Sequence, residues 1–287
     1  MENLRGIVLM VAAMAGFAVS DGFVKALTES VPAGQLLVLF GTLGTLLLAA
    51  FAWMRGRDLS GSFLRSPIFL GRFSADMLAS ACIVGAFATA PLSLVAAIMQ
   101  VSPLFAAALA ALLLGERLGP RRLIAIGIGL VGVLLIVEPW GAQLAWGAIL
   151  AALGSFFLAL RDVLTRMAPA SIPSEALVTY GYLAIAPGGL IAMAFAPGWD
   201  PLTPRDIWLL IGGILSGIAG YTFITLASRM AEVTAIAPFR YSRLVFALLI
   251  GILIFNEALT PLAFIGATLI IGSGLFVFWR EARLARR

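Results

Sequence analysis

Stretches of about 20 apolar residues, the length a helix needs to cross a hydrocarbon core of about 30 Å, recur from one end of this 287-residue chain to the other. Read between Gly, Pro and charged punctuation, they give ten spans near 6–27, 35–53, 69–90, 94–114, 122–138, 146–165, 175–195, 206–228, 233–255 and 262–279. Charged residues make up 11% of the chain, against roughly 25% in a soluble domain. Such a chain cannot cover a water-facing surface. It reads as an all-α polytopic membrane protein whose main partner is the lipid bilayer.

The chain also repeats itself. A shift of 141 positions pairs Gly6 with Gly147, Asp21 with Asp162, Lys25 with Arg166, and Pro32 with Pro173. The same shift pairs Phe105 with Phe246, Glu116 with Glu257, and Pro120 with Pro261, without a gap. Apolar text aligns Leu with Ala easily, but it does not align this series of Asp, Glu and Pro. Residues 1–140 and 141–287 therefore read as two copies of a five-span unit in one integrated membrane domain. Five is odd, so the second copy enters the membrane inverted. With both termini cytoplasmic, fifteen Arg fall at inside ends and loops, and only Lys25 and Arg205 fall outside, as the positive-inside rule requires. The first span has the basic residue, apolar core and A-V-S ending of a signal peptide. Its place in the repeat argues that it is retained.

Several function classes fall away. A net charge of +5 without a clustered soluble basic face does not point to nucleic acid. There is no His and a single Cys, Cys82, so the commonest metal ligand and general base are missing and no cofactor is expected. No G-x-G-D motif accompanies the membrane aspartates, and inversion holds Asp21 and Asp162 about 15 Å apart, too far to share a proton. A Ser–His protease lacks its base, no Walker motif is present, and neither a charge ring nor a carbonyl filter marks a channel. Inverted helical repeats are the architecture of secondary transporters, with the site near the midplane between the copies.

The fourth span with its exit reads SLVAAIMQVSPLFAAALAALLLGERLGPRRLIAIGIGLVGVLLIV, and its counterpart reads TAIAPFRYSRLVFALLIGILIFNEALTPLAFIGATLIIGSGLFVF. Both carry a helix ending in (G/N)-E-x-L, a nearby Pro and then a Gly-rich span. In this, and in the 5+5 layout over the whole chain, the sequence resembles the EamA-type branch of the drug/metabolite transporter superfamily. The resemblance implies an exporter of small metabolites in the bacterial cytoplasmic (inner) membrane, with amino acids, aromatic ones included, among the substrates. Organic-cation and nucleotide-sugar carriers are the alternatives it leaves open. It also implies that the fifth and tenth spans are scaffold around which the other eight enclose a cavity. One departure stands out: Pro103 interrupts the fourth span, whereas Pro238 lies elsewhere in the ninth, so helix breaks are expected to be asymmetric.

Arg240 and Arg243 lie within the ninth span, on one helix face by their i,i+3 spacing. An arginine at bilayer depth costs roughly 2.5–3.5 kcal/mol even on insertion scales, so the pair must face the protein interior. Two readings follow: a cationic patch binding a substrate carboxylate bidentately, or an internal anchor to a neighbouring helix. The repeat sets Gln100 opposite Tyr241 and Ser102 opposite Arg243, polar groups able to orient a small ligand or to bond between helices. Tyr221, Phe17 and Phe157 are candidate aromatic walls. Asp21 and Asp162 each have a cation four residues on, Lys25 and Arg166, and read as local ion pairs or as gate charges; Arg72 and Asp76 read as another local pair. Glu116 and Glu257 read as helix-end anchors. Ala125/Gly129 and Thr268/Gly272 are small-x-x-x-small pairs that suit a self-association face.

Overall fold

The computed structural model describes residues 2–57, 59, 61–115, 120–137, 146–169, 172–195, 197–230, 237–258 and 260–284. The described chain is all-helical. The helices are α1 (Glu2–Leu27), α2 (Ala33–Met54), α3 (Pro67–Thr89), α4 (Leu92–Met99), α5 (Ser102–Leu114) and α6 (Pro120–Val137). They continue as α7 (Trp146–Met167), α8 (Ser174–Leu183), α9 (Ile185–Phe195), α10 (Pro204–Met230), α11 (Ser242–Phe255) and α12 (Pro261–Leu284). Short 3-10 turns cover Ser62–Arg65 and Ala237–Tyr241. Among the described residues, seven helical runs are long and apolar enough to cross a membrane. Leu4, Leu46, Leu112, Ile124, Leu253 and Phe264 are each more than half exposed, a surface that water would not tolerate and lipid tails would. Trp53, Trp146, Trp199 and Trp208 are exposed near helix ends, where amphipathic rings anchor a span at the headgroups.

Packing follows the repeat. α1 lies along α10 and α11, while its counterpart α7 lies along α3 and the α4–α5 pair. Close approach is made possible by glycine: a Cβ on Gly16 would stand 3.1 Å from Gly220 Cα. α6 and α12 pack on each other, with Gly132 against the Gly266 carbonyl. Gly129 is turned inward onto Leu104 and Ser273, so this part of the small-residue pattern serves the chain's own core. Thr268 and Gly272 remain on the exposed surface. The side chain of Ala125 is outside the described set.

Among the described residues, three spans contain helix junctions. α8 stops at Leu183 and α4 stops at Met99, four residues before Pro187 and Pro103, whose missing N–H groups would have bonded those two carbonyls. In the ninth span a 3-10 turn that includes Pro238 gives way to α11 at Ser242. The break after Leu183 has no counterpart in the continuous α2, so the halves do differ, but the asymmetry expected between the fourth and ninth spans is corrected. The prolines differ, but the junction at Gln100–Val101 and the one at Tyr241–Ser242 occupy equivalent positions under the 141-residue shift. A proline just after the junction acts in one half and a proline just before it in the other.

Candidate functional site

Arg243 falls in the first turn of α11 and reaches α1. Its Nε and Nη2 donate to Asp21 Oδ2 at 3.0 and 2.7 Å, and Nη2 also reaches Oδ1 at 2.9 Å. The guanidinium carbon stands 5.4 Å from the Phe17 ring centre, one helical turn from Asp21, within range of a cation–π contact. The side chains are 23% and 12% accessible. The expected local pair between Asp21 and Lys25 does not form. Lys25 Nζ instead donates to the Phe87 and Ala90 carbonyls at 2.8 and 3.0 Å, because the end of α3 leaves those acceptors without intrahelical partners. Arg243 is therefore an anchor between the two halves of the chain, already satisfied by a carboxylate.

A second charged group joins α3 and α7. Arg72 Nη1 stands 3.1 Å from Asp76 Oδ2, the local pair read from the sequence. That oxygen lacks a well-directed hydrogen bond, so the contact is ionic. Arg72 Nε donates to Thr165 Oγ1 at 2.9 Å. From α7, Arg161 donates through Nε and Nη2 to Asp162 Oδ1 at 3.1 and 2.8 Å, and its Nη1 lies 3.4 Å from Asp76 Oδ1. Arg72 and Asp76 are buried, whereas the Arg161 and Asp162 side chains are 31% and 41% accessible. Asp162 thus takes its neighbour in sequence as partner. The side chain of Arg166, its expected partner, lies outside the described residues.

The other candidates are scattered along the helix junctions. Gln100 is buried at the C-cap of α4 and Tyr241 is half-buried at the N-cap of α11, on two helices that pack together. Ser102 and Pro103 open α5, and Tyr221 is half-buried on α10, whereas Arg240 corrects the expectation of an inward pair: it is exposed, because it lies on the 3-10 turn and not on the α-helix that carries Arg243. The side chain of Pro238 is not among those described. Phe157 lies edge-on to Phe156 at 5.5 Å.

Glu257 behaves as the anchor the sequence suggests. Its carboxylate accepts from the free N–H groups of Leu92 and Ser93 at 2.6 and 2.9 Å, fastening the α11 exit to the start of α4 with the charge that a helix N-terminus favours. Lys25, Glu29, Thr89, Phe255 and Glu257 line a shallow depression of about 450 Å³ at this end of the bundle. Glu116, its repeat counterpart, lies outside the described residues. Sequence reasoning missed Arg161 as a bridging residue. Its only signal was the R-D dipeptide at 161–162, and adjacent residues on a helix do not normally face each other.

Comparison with known proteins follows the two halves. A model described as the EamA-like transporter family matches residues 4–138 and again 145–279. Similar proteins include a riboflavin transporter of Rhizobium johnstonii, 31% identical over 207 residues, which are 71% of this chain and 67% of that protein. The pseudopaline exporter CntI of Pseudomonas aeruginosa is 28% identical over 267 residues, 93% of each chain. An S-adenosylmethionine uptake transporter of Rickettsia conorii is 25% identical over 187 residues, 64% of this chain and 62% of that one. A solved crystal structure, 23% identical, shares the fold with a TM-score of 0.64 over 97% of this chain and 98% of the other. Matched in both halves, and carrying its charged groups inside an apolar helical bundle, the chain belongs to the EamA-like transporter family.

Proposed function

We propose that the protein is a ten-span secondary carrier of the bacterial inner membrane. Its halves, 1–140 and 141–287, are inverted, both termini are cytoplasmic, and it exports small zwitterionic metabolites, amino acids first among them, by alternating access. The observation that carries this reading is that both charge clusters within the bundle cross between the halves: Arg243 holds Asp21, and Arg161 meets Asp76. Ion pairs that bridge two rocking bodies can break and re-form as the site opens to either face. Among the described residues each cluster is balanced, one Arg with one Asp and two Arg with two Asp. A substrate with a net charge would leave an uncompensated ion at membrane depth, which is costly. That disfavours the organic-cation and nucleotide-sugar alternatives and favours ligands whose charges cancel. Gln100, Tyr241, Tyr221 and Ser102 supply further polar groups on the same helices.

A second reading has a specific observation behind it. Three riboflavin transporters are among the similar proteins, at 31%, 28% and 30% identity, and a flat heterocycle without net charge also suits a balanced site. Counterflow in proteoliposomes separates the readings. Vesicles are preloaded in turn with aromatic and aliphatic amino acids, riboflavin and an organic dication. Accumulation of labelled amino acid, lost in Arg243→Gln protein that still elutes as a folded species, is the expected result. Exchange of the dication alone contradicts the balanced-charge argument, and exchange of riboflavin alone selects the second reading.

A further inference from the structure

The two aspartates related by the repeat are held differently, and the difference points to a binding position. Asp21 has both carboxylate oxygens engaged by Arg243. At Asp162 the hydrogen bonds among the described residues all fall on Oδ1, and the side chain keeps 41% of its accessibility. Its partner Arg161 has one firmly held edge, Nε with Nη2. The remaining nitrogen, Nη1, reaches Asp76 at 3.4 Å, long for a charge-assisted bond, which closes to about 2.7–2.9 Å. Behind them Asp76 is fixed by buried Arg72, and Arg72 by Thr165. Across the cluster stands Gly181 of α8, where a Cβ would come 3.3 Å from Asp76 Oδ2, so the backbone there leaves the buried carboxylate room. Among the described residues, the result is a carboxylate oxygen without a hydrogen bond beside a loosely engaged guanidinium nitrogen, on a support of equal Arg and Asp.

We infer that Arg161 and Asp162 form a docking position for a zwitterionic head group. The ammonium of an α-amino acid sits on Asp162 Oδ2, and its carboxylate sits on the Nη1–Nη2 edge of Arg161. Asp76 and Arg72 are positioning residues. Net charge does not change when such a ligand binds, and each of its ions meets its opposite. The repeat gives this position a counterpart at Asp21–Arg243, at the other depth of the bundle and closed in this structure, at the same end as the Glu257 and Lys25 contacts. The inference rests on the amino-acid reading above and adds the residues and the part of the ligand they read.

The test compares two ligands on one protein. Phenylalanine and 3-phenylpropionate share a ring and a carboxylate, and only the first has an amine. Labelled phenylalanine counterflow gives the apparent affinity of the amino acid, and its inhibition gives that of phenylpropionate. Asp162→Asn is expected to weaken phenylalanine by about tenfold or more relative to phenylpropionate, the loss of one charge-assisted hydrogen bond to the amine. Arg161→Gln is expected to weaken both. Should Asp162→Asn not reach the membrane, Asp162→Glu, which moves the carboxylate by one methylene, is expected to shift the same ratio in the same direction. Equal weakening of both ligands in the Asp162 variants, or of neither, overturns the inference. Normal phenylalanine exchange in both Asp162 and Arg161 variants, with loss in Arg243→Gln, removes this position and leaves the amino-acid reading standing. Riboflavin exchange without any phenylalanine exchange in the unaltered protein removes both.

Discussion

At the residue scale, the opposing demands on Arg243 decide its role. A guanidinium in an apolar helix must find a counter-ion, and the nearest in space is Asp21 on the helix packed beside it. Breaking a fully buried pair from one side costs about 3–5 kcal/mol. This pair keeps some contact with water, so Arg243→Gln is expected to lower unfolding free energy by about 2 kcal/mol. Adding Asp21→Asn should recover part of that loss, because the stranded carboxylate is then neutral. Thermal unfolding of the single and double variants in one detergent gives the coupling, and strictly additive losses would show that the two residues act independently. The inward orientation of Arg243 was legible in the sequence from desolvation cost alone. Its partner was not. Lys25 stands four residues from Asp21 and satisfies the helix-face rule, but the open carbonyls at the end of α3 compete for its ammonium, and only the packing of α1 on α3 brings them within reach.

At the scale of elements, the junctions and their fastenings matter most. Glu257 supplies the acceptor that α4 lacks, since Pro91 precedes the helix and has no side chain able to cap it. Glu257→Ala is expected to cost about 1–2 kcal/mol, the range of a lost N-cap, and to speed amide exchange in a peptide covering 92–99. Exchange there at the unaltered rate would mean that the cap does not hold α4. Helix contacts predict a contrast between glycines. Gly16→Val pushes α1 off the Gly220 backbone and is expected to cost about 1–3 kcal/mol. Gly127→Ala meets open space and should be neutral or stabilising by up to about 1 kcal/mol. Melting temperatures that fail to separate the two variants would contradict the observed α1–α10 crossing. The helices themselves were legible from apolar run length, and the start of α6 and α12 from Pro120 and Pro261 at their first positions. The breaks at equivalent positions were not legible, because a proline acts on the carbonyl four residues before it, and the two spans carry their prolines on opposite sides of the junction.

At the scale of the whole molecule, the repeat and the family match describe one object: two similar halves whose charged residues meet across the interface between them. In this structure both pairs are formed, but Asp21–Arg243 is the more enclosed, with Glu257 and Lys25 tying the helix ends beside it, and Arg161–Asp162 is the more accessible. A carrier needs a second arrangement in which these roles are exchanged. The measurement that tests this most directly uses Cys82→Ser protein, which has no other thiol, with Leu158→Cys, one turn from Asp162 on the same face of α7. Membrane-impermeant thiol reagent is applied to one side of right-side-out or inverted vesicles, with and without saturating counterflow substrate. Labelling is expected from the cytoplasmic side alone in the unliganded protein, with a clear fall in that rate when substrate draws the halves closed. Labelling from both sides at once would indicate a continuous pore. Labelling from the outer side alone would contradict the proposed topology, in which cytoplasmic termini put the Asp162 end of α7 toward the inner face.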